Sequence, residues 1–166
     1  KLSKKKYSNL KYNKMESIEK TLIILKPDSV HRRLIGQIID RFERKGFKLI
    51  AMKFMWAPEE LLKEHYAELV DRPFYDGLIK YMSAGPVIPM VWEGPHIVRT
   101  VRNMMGVTDP ADCAPGTIRG ELSITPRYNV IHGSDSVESA QREIALWFGD
   151  KEIIPWESEL DRWITE

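Results

Sequence analysis

Cys113 is the only cysteine in the 166-residue chain. An internal disulfide and a cysteine-rich zinc site, zinc fingers included, are therefore excluded. No stretch approaches the roughly 18 consecutive apolar residues of a membrane-crossing helix. Both common phosphate-binding signatures, G-x-x-x-x-G-K-[ST] and G-x-G-x-x-G, are missing, so neither a P-loop nor a Rossmann site is supported. The four histidines (His31, His65, His96 and His132) lack the local spacing of metal ligands. Acidic residues are absent from positions 1–14, which hold six lysines, while the remaining 152 residues carry 19 basic and 24 acidic side chains. A compact domain of that negative sign has no general attraction for nucleic acid, and no specific nucleic-acid partner is expected.

The length suits one domain with a substantial core. Residues 1–18 are polar, rich in lysine and asparagine and without periodicity, and read as a disordered basic arm. The chain opens on lysine, and this arm fits either the tail of an organelle presequence or a plain unstructured extension. Weak contact with an anionic membrane is the most such an arm is expected to make. The domain proper is expected over 19–150, with a tail over 151–166.

Thr21–Leu25 is a short β-branched apolar run, expected to be a buried strand stopped by Pro27-Asp28. Ile35, Ile38, Ile39 and Phe42 keep helical spacing up to Lys45-Gly46. Phe47–Trp56 alternates as a second strand. Proline and acids open a helix at Ala57-Pro58-Glu59-Glu60, and a shorter helix is expected from about Phe74 to Met82. A third strand over Pro86–Trp92 and a helix over His96–Met105 follow. The 23 residues from Gly106 to Tyr128 read as one long loop, a length that usually signals function. Asn129–His132 is a short strand. Asp135, with Glu138 at capping-box spacing, is expected to cap a helix running to about Phe148. This order implies an α+β, ferredoxin-like (split βαβ) sandwich: a four-stranded antiparallel sheet covered by helices, with a long loop before the last strand.

His31, His65 and His96 lie in polar, helix-flanking contexts and read as surface residues. His132 differs, because it joins a strand to a helix N-terminus, whose free N–H groups favour phosphate. Gly133 is expected to let the chain turn sharply there. Glu143 lies on a helix face able to reach back toward Ser134 and His132, and a carboxylate on one ring nitrogen leaves the other as a nucleophile. Taken alone, a histidine at a strand end is more often structural than catalytic. Lys26, Arg102 and Arg119 are the cations that phosphoryl transfer would need, though each alone reads as solvated and nothing in their spacing makes them converge.

Asn129-Val130-Ile131-His132-Gly133-Ser134-Asp135 resembles the N-x-x-H-G-S-D signature of nucleoside diphosphate kinases. Leu25-Lys26-Pro27-Asp28, Arg72-Pro73-Phe74, Tyr81–Pro86, Met90–Gly94 and Pro115–Gly120 resemble further motifs of that family, in order, over about residues 19–150. The resemblance implies a ferredoxin-like fold and a ping-pong transfer of the γ-phosphate from a nucleoside triphosphate to a diphosphate, with little base specificity. His132 would be phosphorylated on Nδ1 and oriented by Glu143 and Ser134. Lys26, Arg102, Thr108 and Arg119 would hold phosphates, Lys26 and Asn129 would reach the ribose 3′-hydroxyl, and Tyr66 would support Lys26. Phe74 would stack on the base, with Leu78 lining the pocket. Mg2+ would be held by nucleotide phosphates without a direct protein ligand, Asp135 touching it at most indirectly. Family tails like 151–166 pack at subunit contacts, which implies a homo-hexamer. Val30–Leu34, Thr108-Asp109-Pro110 and Ser139–Ile144 look closest to the mitochondrial branch, so a mitochondrial location is expected, with the cytoplasm as the alternative. Three departures stand out. Ser29 replaces the usual glycine, Pro126-Arg127-Tyr128 replaces the usual approach to Asn129, and the tail matches only loosely.

Overall fold

The central strand, β1 (Ile18–Leu25), carries four consecutive aliphatics, Leu22–Leu25, all with no solvent exposure. Successive side chains on a strand point to opposite faces, so both faces of β1 must be covered. The computed structural model describes residues 18–159 and 161–164, and the basic arm through residue 17 lies outside them. The other strands are β2 (Lys48–Met52), β3 (Ile88–Pro95) and β4 (Ile131–Gly133). Their order is β2-β3-β1-β4, with every neighbouring pair antiparallel. β1 and β2 therefore run the same way on either side of β3, which is the split βαβ arrangement expected from the element order.

The helices are α1 (Pro27–His31), α2 (Ile35–Lys45), α3 (Glu59–His65), α4 (Tyr75–Met82), α5 (Ile97–Met105), α6 (Ile118–Leu122) and α7 (Val137–Trp147). α2 ends as expected at Gly46, whose φ of 92° supplies the left-handed closure. α5 and α7 pack on β1 and bring the long loop and the last helix beside its C-terminal end. Phe42 and Trp92, both fully buried, meet at 5.4 Å between ring centroids and anchor α2 to the sheet.

Several details differ from the sequence expectations. Pro27 does not merely stop β1: it occupies the first turn of α1, where its missing N–H costs nothing. Ser29 fits where a glycine was anticipated, because it is helical and its buried hydroxyl donates to the Lys26 carbonyl at 2.7 Å. β2 ends at Met52, short of the expected Trp56, and carries an irregularity between Leu49 and Ala51; beyond it an isolated bridge, Met55 to Val87, continues the pairing. The 106–128 segment is not bare loop, for it contains α6 and a 3-10 turn at Pro110–Asp112. α7 is capped by Ser136, which accepts from the Ser139 N–H, while Asp135 accepts from the Ser139 hydroxyl. In the tail, the Ile154 N–H donates to the Ile50 carbonyl at 2.8 Å and the Trp156 indole to the Leu49 carbonyl at 2.9 Å. These bonds shield the outer edge of β2.

Candidate active site

A tight backbone reversal sets up the site. Val130 adopts φ 61°, and the Ile131 N–H donates to the Asn129 carbonyl only two residues back, at 2.7 Å. A positive φ is an outlier for a β-branched residue and costs about 1–3 kcal/mol. The surroundings enforce it. The Val130 side chain is fully buried, its N–H donates to Asp28 Oδ2 at 3.2 Å, and its carbonyl accepts from the Lys26 N–H at 2.9 Å. Asp28 is held in turn by the Tyr81 hydroxyl at 2.5 Å. Tyr128 leans edge-on against Tyr81, with centroids 5.2 Å apart, so the unusual Pro126-Arg127-Tyr128 approach is anchored to the same support. Asn129 and His132 sit on either side of this reversal.

His132 pairs with Ile24 across the β1–β4 ladder. Its Nε2 lies 3.2 Å from Glu143 Oε2, and the same carboxylate oxygen accepts from the Ser134 hydroxyl at 2.6 Å. Ser134 is itself fixed by the Leu22 N–H at 3.2 Å. Glu143 is buried, which by itself would raise its pKa. The hydrogen bond and charge of His132, with the Ser134 hydroxyl, outweigh burial and hold the carboxyl at about 2. An ionised Glu143 takes the proton on His132 Nε2, leaving Nδ1 as the nitrogen available to a substrate. Gly133 serves packing rather than a turn: its φ is not positive, and a Cβ there would lie 2.6 Å from Met105 Sδ.

The cations do converge. Lys26 Nζ donates to Asn129 Oδ1 at 2.6 Å, and Asn129 Nδ2 donates to the Thr108 carbonyl at 3.2 Å. Arg119 donates to the Ile131 carbonyl at 2.8 Å and the Gly106 carbonyl at 3.1 Å, and Arg102 reaches the Gly133 carbonyl at 3.4 Å. Burial, reinforced by the charge of Arg119 and partly offset by Asp28, brings Lys26 down to about 8. Burial and the neighbouring Arg102 bring Arg119 down to about 10. Cations packed this closely favour an anion between them. Two buried polar atoms here, Tyr66 Oη and Arg119 Nε, have no hydrogen-bond partner among the described residues. Tyr66 thus does not hold Lys26 as expected; Asn129 does, with the Tyr81 ring 6.0 Å from the ammonium. Phe74 is 55% exposed at the start of α4, and Leu78 lies half-buried one turn further on.

His65 overturns its reading as a surface residue. It is buried, its ring stands edge-on to His132 with centroids 4.6 Å apart, and its Nδ1 accepts from the Trp147 indole at 3.1 Å. Its local sequence is polar, and only the docking of α3 against α7 buries it. His31 and His96 are exposed, as expected. Among the described residues, His65, His132 and Glu143 form the one cluster whose ligand atoms lie within 4.8 Å of one another. The Trp147 bond forces the His65 proton onto Nε2, which removes that nitrogen as a metal ligand.

Burial drives His65 down to about 3, with the charge of His132 adding. Both His65 and Glu143 titrate lower in the folded than in the unfolded chain. The unfolded state therefore binds protons first as pH falls, and stability is lost in that direction: from about 6.5 downward for His65, and from about 4.5 downward for Glu143. His65 alone should cost about 2 kcal/mol between pH 6.5 and 4.5. Denaturant unfolding at the two pH values should show this loss in the native protein and not in His65→Gln. Equal losses in both proteins would contradict the assignment.

Fold and site together describe an anion-binding α+β domain with a carboxylate-oriented imidazole at its centre. Residues 19–153 match the family model described as nucleoside diphosphate kinase. The nucleoside diphosphate kinase of Drosophila melanogaster is 58% identical over 148 residues, covering 89% of this chain and 97% of that protein. Human nucleoside diphosphate kinase 3 is 59% identical over 148 residues, 89% of this chain and 88% of that one. A solved structure of a halophilic nucleoside diphosphate kinase from Halobacterium salinarum, in complex with CDP, superposes with a TM-score of 0.88 at 48% identity, covering 90% of this chain and 100% of that one. The chain belongs to the nucleoside diphosphate kinase family.

Proposed function

We propose that the chain transfers the γ-phosphoryl group of a nucleoside triphosphate to a nucleoside diphosphate through His132. The observation that carries this reading is the Glu143–His132 pair beside the Lys26–Asn129 and Arg119 cradle. The Nδ1 lone pair attacks the γ-phosphorus in line. A P–N bond forms, the P–O bond to the β-phosphate breaks, and the diphosphate leaves with that electron pair. In the second half, a terminal oxygen of the incoming diphosphate attacks phosphorus and the P–N bond breaks, returning the lone pair to Nδ1. One site serves donor and acceptor in turn, so the kinetics are ping-pong. Lys26, Arg102 and Arg119 stabilise the charge on the moving group, with Tyr66 Oη and Arg119 Nε as further donors and Thr108 at the loop edge. Asn129 and Lys26 position the sugar hydroxyl.

Phe74 receives the base by stacking. A ring face cannot tell bases apart by hydrogen bonding, which supports low base specificity. Phe74→Ala should raise KM about tenfold for every nucleoside diphosphate tested, with kcat much less affected. Steady-state kinetics with purine and pyrimidine acceptors checks this, and a loss confined to one base would contradict it. The grouped side chains beside His132, two imidazoles and one carboxylate among the described residues, are unlike the hard oxygens in octahedral array that Mg2+ prefers. The ion is therefore assigned to the nucleotide's own phosphates, where it neutralises charge, and Asp135 contacts it at most through water. Turnover with GTP as donor and dTDP as acceptor tests the whole reading, and its absence would sink it.

Assembly into a homo-hexamer is supported by exposed apolar groups such as Phe54, Ile124 and Trp163. Sedimentation at the mass of a monomer would refute it. The six-lysine segment supports a mitochondrial destination with weak anionic-membrane contact. Cytoplasmic retention of the fluorescently tagged full-length protein would contradict that location.

A further inference from the structure

Two histidines meet at the centre of the site, and only one of them is needed as a nucleophile. The second, His65, is a hazard if its Nε2 carries a lone pair. It would then offer a rival acceptor to the His132 Nε2–H and draw that proton away from Glu143. Trp147 removes this freedom. An indole N–H can only donate, and Trp147 Nε1 donates to His65 Nδ1 at 3.1 Å. The His65 proton must then sit on Nε2, which makes that nitrogen a donor as well. Among the described residues the buried His65 Nε2 has no hydrogen-bond partner, while one ring nitrogen each of His65 and His132 and a carboxylate oxygen of Glu143 lie within 4.8 Å of one another.

We propose that Trp147 fixes the tautomer of His65, and that His65 so fixed is a positioning residue which leaves Glu143 as the only acceptor for the His132 Nε2–H. Nδ1 of His132 is thereby kept as the nitrogen that meets phosphorus. The inference rests on the reading of His132 as phosphoryl acceptor. α7 supplies both orienting groups one turn apart on its buried face, Glu143 for His132 and Trp147 for His65. The edge-on contact at 4.6 Å also fixes the plane of the His132 ring. Charge supports the arrangement. The groups acting on His65 are His132 on β4, Glu143 and Arg142 on α7, and Lys26 after β1; of these only Glu143 favours its protonation. His65 therefore stays neutral and adds no charge beside the nucleophile.

The test is Trp147→Phe, which keeps an aromatic ring and deletes the donor. Nitrogen-15 NMR of the histidine side chains should show single Nε2-protonated tautomers for His65 and His132 in the native protein, and mixtures for both in the variant. kcat should fall about tenfold, as for one hydrogen bond lost at the transition state. KM for the diphosphate should stay within about twofold, because the phosphate and base contacts are untouched. The acid limb of kcat should move up by about one pH unit as His65 Nδ1 becomes free to take a proton. His65→Leu should lose as much as Trp147→Phe. His65→Gln should recover most of kcat, because its amide both accepts from Trp147 and donates toward the cluster. Unchanged tautomers, or an unchanged kcat and acid limb in folded Trp147→Phe, would overturn the proposal. So would a His65→Gln protein no more active than His65→Leu. Phosphorylation of a His132→Ala protein would be a separate failure, that of the nucleophile assignment itself, and it is visible without any spectrum.

Discussion

Alanine at position 132 should reduce turnover on the order of 10^5-fold while leaving nucleotide binding nearly intact. Removing a covalent nucleophile costs several orders of magnitude, because the two-step route disappears with it. The groups assigned to binding are separate: Lys26 and Asn129 hold each other, and Arg119 is seated on the Ile131 and Gly106 carbonyls. Glu143 loses one of its two partners in the variant and keeps Ser134. Its carboxyl should therefore titrate higher than about 2. Equilibrium binding of a nucleoside diphosphate, measured calorimetrically beside kcat, separates the two effects. A parallel collapse of binding and turnover would mean that His132 organises the pocket rather than attacking phosphorus.

Arg119→Ala should produce the second-largest loss, on the order of 10^2- to 10^3-fold in kcat, as for removal of one preorganised charge-stabilising donor. Arg119 is only 5% exposed, and it donates to two backbone carbonyls, those of Ile131 and Gly106. The variant should therefore also lose about 2–4 kcal/mol of stability, the cost of two acceptors left in a poorly solvated place. The kinetic and structural effects can be separated. Bound nucleotide cannot restore the lost donors, so kcat should remain low at saturating substrate and at temperatures well below unfolding. A variant with kcat within about threefold of the native value would remove Arg119 from the cradle and leave it a structural role only.

Much of this molecule was legible in the sequence, and the parts that were not share a cause. Thr21–Leu25, the α2 stripe ending at Gly46 and the α5 and α7 patterns are long enough for hydrophobic period to declare them. α1 and α6 have five residues each, less than two helical turns, so no period exists to read. The convergence of Lys26, Arg102 and Arg119 on the β4 region depends on strand order, which local spacing does not encode. Val130 at φ 61° could not be anticipated either, since a valine signals an ordinary strand and Asp28, 102 residues away, holds it otherwise. His65 is the clearest case. Glu64-His65 at the end of an amphipathic helix looks solvent-facing, and only Trp147, 82 positions later, reveals that its ring is a buried acceptor.

The central claim is that phosphate rests covalently on His132 between the two halves of the reaction. It is tested most directly by mixing the protein with γ-labelled ATP, removing free nucleotide and chasing with an unlabelled nucleoside diphosphate. Label should appear at about one phosphate per chain, be lost in acid and survive in alkali as a P–N bond does, and pass entirely to the added diphosphate. His132→Ala should take up none. A fully labelled His132→Ala protein, or a native protein whose label cannot be chased to the diphosphate, would contradict the account.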